Sequence, residues 1–415
     1  MKIAFFVADY PNPSETFVAR QIAGMRALGH DVTIVAGCLK APMDEIEREG
    51  VKVRLIRQES TGIRALTLRL RCGVMALLNW RRLGAIIRGL AMQSLMPAAD
   101  LLSCPLHLGS YDAIVAHFGP MGVRAAILRQ AGMLGGPLAV IFHGKDMSDR
   151  WTLKRFLPSY RNLFRSAELL LPISRLWRQR LIDWGAPVGK IRVLRMGVDL
   201  GLFDPVPDDK PLQRPLRVLS VARLVEKKGL AYAIEGVKQA AADIDYRIIG
   251  YGPLEETLTE RCAAPGNNVR LLGRRSHADV FAELRATDIF LLPSVTAEDG
   301  DMEGIPVALM EAMAMGVLVV ATRHSGIPEL IEDELEGLLV TERDANAIAH
   351  ALDRIADGAI DIAAMRRAAR AKVEREFNNS LLDHDLEALL ATLQPEADQP
   401  RAVADSAATP RSLRA

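Results

Sequence analysis

EDGDMEGIPVALMEAMAMGVLVVAT, residues 298–322, passes from an acidic loop through one apolar helix into an uncharged strand. Pro306 suits the first helical position, where its missing N–H is no loss, and Gly316 suits the stop. From Gly304 to Thr322 the only ionisable side chain is Glu311. The helix around it is apolar on nearly every face, so Glu311 is expected to be buried, and a lone buried carboxylate is costly without a hydrogen-bonding partner. A ligand's hydroxyl pair would serve, and so would a core arginine.

Outward from this stretch, short apolar strands recur between helices. Toward the C-terminal side they read LRVLSVARL (216–224), YRIIGYGP (246–253), VRLLG (269–273), IFLLP (289–293), VLVVAT (317–322) and GLLV (337–340). The first half opens with KIAFFVA (2–8), a helix from Glu15 to Leu28 closed by Gly29, and DVTIVAG (31–37). VKVRLI (51–56), AIVAH (113–117), PLAVIFH (137–143) and ELLLPIS (168–174) follow, the pattern of a doubly wound parallel sheet. Ligands gather at the carboxyl ends of strands in such sheets, which singles out His117, His143 and Ser174. A proline-rich, charged run from Pro205 to Pro215 interrupts the alternation before LRVLSVARL restarts it. The expected organisation is therefore α/β: two Rossmann-like domains, 1–204 and 216–376, joined by a linker 205–215 and facing each other across a cleft. A length of 415 residues agrees, since single cores stop growing at roughly 250 to 300. Residues 395–415 have the composition of a disordered tail.

With 52 basic against 51 acidic residues the formal charge is +1, which argues against a nucleic-acid partner. Cys38, Cys72, Cys104 and Cys262 form no CxxC pair, so neither a structural zinc site nor a disulfide framework is expected, and a reducing cytoplasm fits. MKIAFFVADY reads as a first strand rather than a leader, and no stretch reaches the roughly 18 uncharged apolar residues of a spanning helix. Charge is nevertheless uneven. Between Val51 and Ala99, nine Lys or Arg stand against Glu59 alone, a local excess of +8. Interleaved with leucines, isoleucines and Trp80, residues 62–100 read as a basic amphipathic segment able to lie on an anionic membrane, or as an ordinary solvated helical pair.

The chemistry-bearing positions cluster. At about 1.5 Å per residue Glu311 lies roughly 7 to 8 Å along the axis from the helix start, and Glu303 just precedes that start. Between them the amides around Gly304, Ile305 and Val307 and the positive end of the dipole make a seat for phosphate. One segment would thus hold a sugar, a diphosphate and a ribose in order. In SVARLVEKKG (220–229) a strand ends and Arg223 and Lys228 follow, two cations able to neutralise a diphosphate leaving group without a metal. IIGYGPLEETL (248–258) places Gly250 and Gly252 in a strand-to-helix turn, either for close approach of a nucleotide or for the shape of the turn itself. His143 in VIFHGKD and His117 in VAHFGP are expected to project into the cleft. Asp299 and Asp301 form a DxD, which binds a divalent metal in other architectures; beside a phosphate-binding helix with Arg223 and Lys228 at hand, no metal or other cofactor is expected.

These residues together resemble glycosyltransferase family 4, retaining enzymes of the GT-B fold. The resemblance is carried by Glu303 and Glu311 in an E-x7-E, by ARLVEKKG, by GYGP and by RMGVDLGLF (195–203). PNPSETFVARQI, AHFG, FHGKD and RHSGIPELIED are similar to the subset that builds exopolysaccharides such as colanic acid or amylovoran. It implies that Glu311 meets the donor's ribose hydroxyls, Glu303 the donor sugar, Arg223 and Lys228 the diphosphate, and His143 the anomeric carbon. Where family members commonly have a Gly-Gly turn after the first strand, this chain has Asp9 to Ser14 with two prolines. Ser14, Glu15 and Thr16, with His117, are therefore assigned to positioning the acceptor or donor. The resemblance further implies a last helix, near Phe377 to Leu393, that crosses back to the first domain. It also implies a nucleotide diphosphate sugar as donor and a lipid-linked oligosaccharide acceptor at the cytoplasmic membrane face; the residues do not name the base or the sugar, and UDP-hexose is placed ahead of GDP-mannose. A sugar nucleotide epimerase, a phosphorylase and a non-catalytic nucleotide-sugar-binding protein are the rival readings.

Overall fold

The computed structural model describes residues 1–12, 15–48, 50–56, 83–84, 107–263 and 268–394. Ser14, Cys72, Cys104, the tail 395–415 and all but 83–84 of the basic segment 62–100 lie outside these described residues.

The first sheet contains β1 (Lys2–Tyr10), β2 (Asp31–Leu39), β3 (Lys52–Leu55), β5 (Ala113–His117), β7 (Leu138–Phe142) and β8 (Leu169–Pro172); β4 (Gly109–Ser110) and β6 (Leu134–Gly135) pair beside it. The second contains β9 (Leu216–Val221), β10 (Ile244–Ile249), β11 (Asn268–Gly273), β12 (Ile289–Leu292), β13 (Leu318–Thr322) and β14 (Leu338–Val340). Both are parallel throughout, in the orders β3-β2-β1-β5-β7-β8 and β11-β10-β9-β12-β13-β14. Helices cover both faces of such sheets, so their inner strands read as unbroken apolar runs. β5, β7 and β13 are buried at every residue. Each order reverses beside its first strand, between β1 and β5 and between β9 and β12, and a crevice opens there at the carboxyl ends.

The segments Pro205–Pro215 and Arg195–Phe203 are packed rather than loose. The N–H of Val206 donates to Met315 O at 2.9 Å, and Arg366 donates to the carbonyls of Asp208 and Lys210. Gly197 sits where a Cβ would lie 2.3 Å from Phe377 O. The helix Asn379–Ala391 lies on the helix Thr16–Ala27, burying Leu386 and Leu390 in the first core. Elsewhere the domains also touch through polar groups. Asp299 O accepts from Arg150 N at 2.9 Å, Ser148 Oγ accepts from Met302 N at 2.9 Å, and Glu329 accepts from the N–H groups of Arg175 and Leu176. A carboxylate of the second domain thereby caps the helix Arg175–Asp183 of the first, where it meets the dipole's positive end. Among the described residues no helix is long and apolar enough to cross a membrane.

Candidate active site

Glu303 ends the loop before the apolar helix and is buried. Its Oε1 lies 2.9 Å from Lys228 Nζ, and its N–H donates to His324 Nε2 at 3.1 Å. Burial alone would raise its carboxyl. The ammoniums of Lys228 and Lys227, with His324, outweigh that and hold it below the ordinary carboxylate range. Lys227 pairs with Asp301 at 2.9 Å, and Asp299 accepts from Asp301 N, so within the DxD one carboxylate is ion-paired and the other shapes the loop. Among the described residues no cluster of three metal-ligating side chains forms.

Gly304 packs against the other domain. A Cβ there would lie 2.4 Å from Ile173 Cδ1 and 2.9 Å from His143 O, so the glycine lets Glu303 approach the end of β7. The N–H groups of Gly304, Ile305 and Val307 donate to no acceptor among the described residues. Pro306 is the N-cap, with extended backbone, and the helix runs Val307–Ala314. The expected first-turn proline therefore stands one place earlier, its ring shaping the entry rather than the first turn. Glu311 corrects a second expectation: its side chain keeps 25% of its surface and pairs with Arg20 Nη2 at 3.3 Å, across the domain boundary. Burial still raises its carboxyl, with Arg20 opposing. The partner that burial demanded is thus, in this structure, a protein cation.

His117 ends β5 and His143 directly follows β7. Their rings stack, His117 Nδ1 lies 3.1 Å from His143 Nε2, and His143 Nδ1 faces Met196 Sδ at 3.3 Å. Phe17 and Phe118 enclose them. Burial pushes His117 down to about 3, and burial together with His117 drives His143 well below its usual value, so both rings are neutral. Buried Asp146 holds both strand ends, accepting from the N–H groups of Gly119, His143 and Gly144. Burial raises its carboxyl to about 6 against those bonds.

Arg223 is exposed and has no ion pair among the described residues. It opens on a cleft of ≈ 790 Å³ between the domains, walled also by Thr16, Gly250, Tyr251, Arg274, Arg275 and His277. A cavity of ≈ 330 Å³ adjoins it at Thr16 and His277 and is lined by Asp9, Glu15 and Arg20. Gly250 serves packing as well as the cleft, since a Cβ would sit 1.8 Å from Ala222 O. Gly252 packs on the backbone of Leu224 and does not line the cleft. Arg274, lying over the Tyr251 ring at 5.2 Å, and Arg275 escaped the sequence reading. They follow β11, where the rule of strand carboxyl ends applied equally. Arg20 carried no local signal.

The description "Glycosyl transferases group 1" matches residues 215–357, and "Glycosyl transferase 4-like domain" matches residues 14–197. Over 416 residues the chain is 42% identical to the putative colanic acid biosynthesis glycosyltransferase WcaL of Escherichia coli, covering 95% of this chain and all of that protein. It is 41% identical, with the same coverage, to the amylovoran biosynthesis glycosyltransferase AmsK of Erwinia amylovora. The crystal structure of Anabaena Alr3699/HepE in complex with UDP and glucose shares the fold, with a TM-score of 0.69 at 20% identity over 95% of this chain and all of that one. The two parallel-sheet domains, the E-x7-E helix between them and this likeness along the whole chain lead to one conclusion: the chain belongs to the family 4 glycosyltransferases of GT-B fold, in the group of the colanic acid and amylovoran biosynthesis enzymes.

Proposed function

We propose that the enzyme transfers a hexose from a nucleotide diphosphate sugar, UDP-hexose ahead of GDP-mannose, to a lipid-linked oligosaccharide with retention of configuration, at the cytoplasmic face of the membrane. The observation that carries this reading is the largely buried Lys228–Glu303 pair beside the main chain of His143 and Gly144, together with Arg223, which has no ion pair among the described residues and opens on the cleft between the domains. In this reading Arg223 and Lys228 take the diphosphate, the amides of Gly304, Ile305 and Val307 add to them, and Glu303 turns to the sugar hydroxyls as Lys228 engages phosphate. Glu311 exchanges Arg20 for the ribose. Gly250 lets the nucleotide approach, and Thr16 and Glu15 face the acceptor side. Two imidazoles with depressed basicity are poor proton acceptors, which favours a front-face transfer in which the departing phosphate oxygen takes the acceptor's proton. Cationic side chains then do the work of a metal. The fold shared with a protein solved with UDP and glucose supports the choice of base.

The test is a thermal-shift panel of UDP, GDP and ADP sugars, followed by transfer of the stabilising donor to lipid extract and assignment of the new anomer by NMR. Stabilisation by a UDP-sugar and an α product from an α donor are expected, in the presence of chelator as in its absence. An inverted anomer would overturn the retaining mechanism, and stabilisation by GDP-sugars alone the choice of donor.

A further inference from the structure

The helix Arg150–Ser166 of the first domain turns Phe156, Tyr160, Leu163 and Phe164 into the core. Its outer face carries Arg150, Lys154, Arg161 and Arg165, all exposed, at helical spacing. Trp151 stands beside them with 65% of its surface open, more than any other large hydrophobic side chain among the described residues. Arg155 lies over its ring at 5.4 Å. The helix contains no acid, and none of its cations has a carboxylate partner among the described residues. This departs from the helix Ile362–Glu376, whose Arg370 and Lys372 pair with Glu374 and Glu376 one turn on. The bias extends beyond the helix. From Arg150 to Arg192, ten Lys or Arg stand against Glu168 and Asp183, in a chain whose formal charge is only +1, and Glu168 is engaged by Arg129.

An open indole set in a stripe of unpaired cations matches the chemistry of a lipid surface. The ring sits at headgroup level, and the cations meet lipid phosphates while their stems lie along the apolar boundary. We propose that this face of the helix Arg150–Ser166 docks on an anionic bilayer. The N-terminal end of the helix is bonded to the loop that leads to Glu303, through Arg150 N on Asp299 O. Docking therefore sets the rim of the active cleft beside the membrane, where a lipid-linked acceptor is delivered. The surface stands independently of the donor chemistry proposed above, and its test involves no turnover.

Full-length protein is floated with vesicles of phosphatidylcholine alone, or with about 30% phosphatidylglycerol added. Binding only to the anionic vesicles, weakened by salt, is expected. Lys154→Gln, Arg161→Gln and Arg165→Gln together lower the partition on the order of a hundredfold, about fivefold for each cation removed near the surface. Trp151→Ala, read separately, abolishes the quenching of fluorescence by brominated lipid that is due to this residue. A triple variant that partitions like the parent would overturn the proposal. So would a loss confined to Arg81→Gln, Arg82→Gln and Arg88→Gln in the other basic segment, or capture by soluble anionic polysaccharide with no vesicle binding. Unchanged melting temperatures of the variants separate lost docking from lost fold.

Discussion

Breaking the Lys228–Glu303 pair from one side leaves a charge stranded among buried groups. Glu303→Gln strips Lys228 of its counter-charge, while Lys227 keeps Asp301. Removing one partner of a buried pair costs about 3–5 kcal/mol. The side chains keep 9% and 16% of their surface, so a value near the lower end, about 3 kcal/mol, is expected. Lys228→Met leaves Glu303 with Lys227 still close, and about 2 kcal/mol is expected. The double variant strands nothing and should lose about 2 kcal/mol less than the two single losses together. At roughly 2–4 °C per kcal/mol for a domain of this size, these differences are resolved by calorimetric melting of the purified protein. Additive losses would refute the pairing. The carboxyl's position also fixes a sign with pH. Held below its ordinary 4.5, it lends stability above that value and loses it as pH falls through the lower folded value, so acid should destabilise the parent more steeply than Glu303→Gln. Should Lys228 also take the diphosphate, saturating nucleoside diphosphate will raise the melting temperature of the parent and not of Lys228→Met; equal protection removes that role.

Glu15, pushed up to about 7 by burial and then Asp9, lends stability that is present below 4.5 and lost as pH rises toward 7. Glu15→Gln should flatten the fall in melting temperature between pH 5 and 8, and an unchanged fall would count against the burial described. Gly250→Ala must place a Cβ against Ala222 O at φ +157°, and should destabilise by about 3 kcal/mol or more in urea unfolding; a neutral outcome would deny the close approach. His117, at about 3, should show no imidazole titration between pH 5 and 8 by NMR, whereas a midpoint near 6.5 would require an open, solvated ring.

The strand alternation was legible because a parallel sheet covered on both faces imposes its apolar runs locally: every strand of the two main sheets overlaps a segment read from the sequence, with β1, β2, β10 and β11 running one or two residues past it. The helix stop at Gly29, with φ +84°, is equally local. The positions of Glu303, Lys228 and Arg223 were also within reach, since each flanks a strand or helix end that its neighbours define. What lay out of reach was pairing. Glu311 looked like a solitary buried acid, and its partner Arg20 stands 291 residues away on a helix whose pattern marks it only as a surface cation. The depressed imidazoles depend on two strand ends becoming neighbours in the sheet and on Phe17 and Phe118 closing over them. The outer stripe of the helix Arg150–Ser166 acquired meaning only once packing assigned its aromatic side to the core and left its cations without carboxylates among the described residues. Local pattern was enough for the two parallel-sheet domains and for the chemical identity of the groups at their strand ends, because periodicity, caps and turns act within a few residues. The tertiary structure decided which charges neutralise one another, which rings stay uncharged and which face remains open, because those follow from distances between segments far apart along the chain.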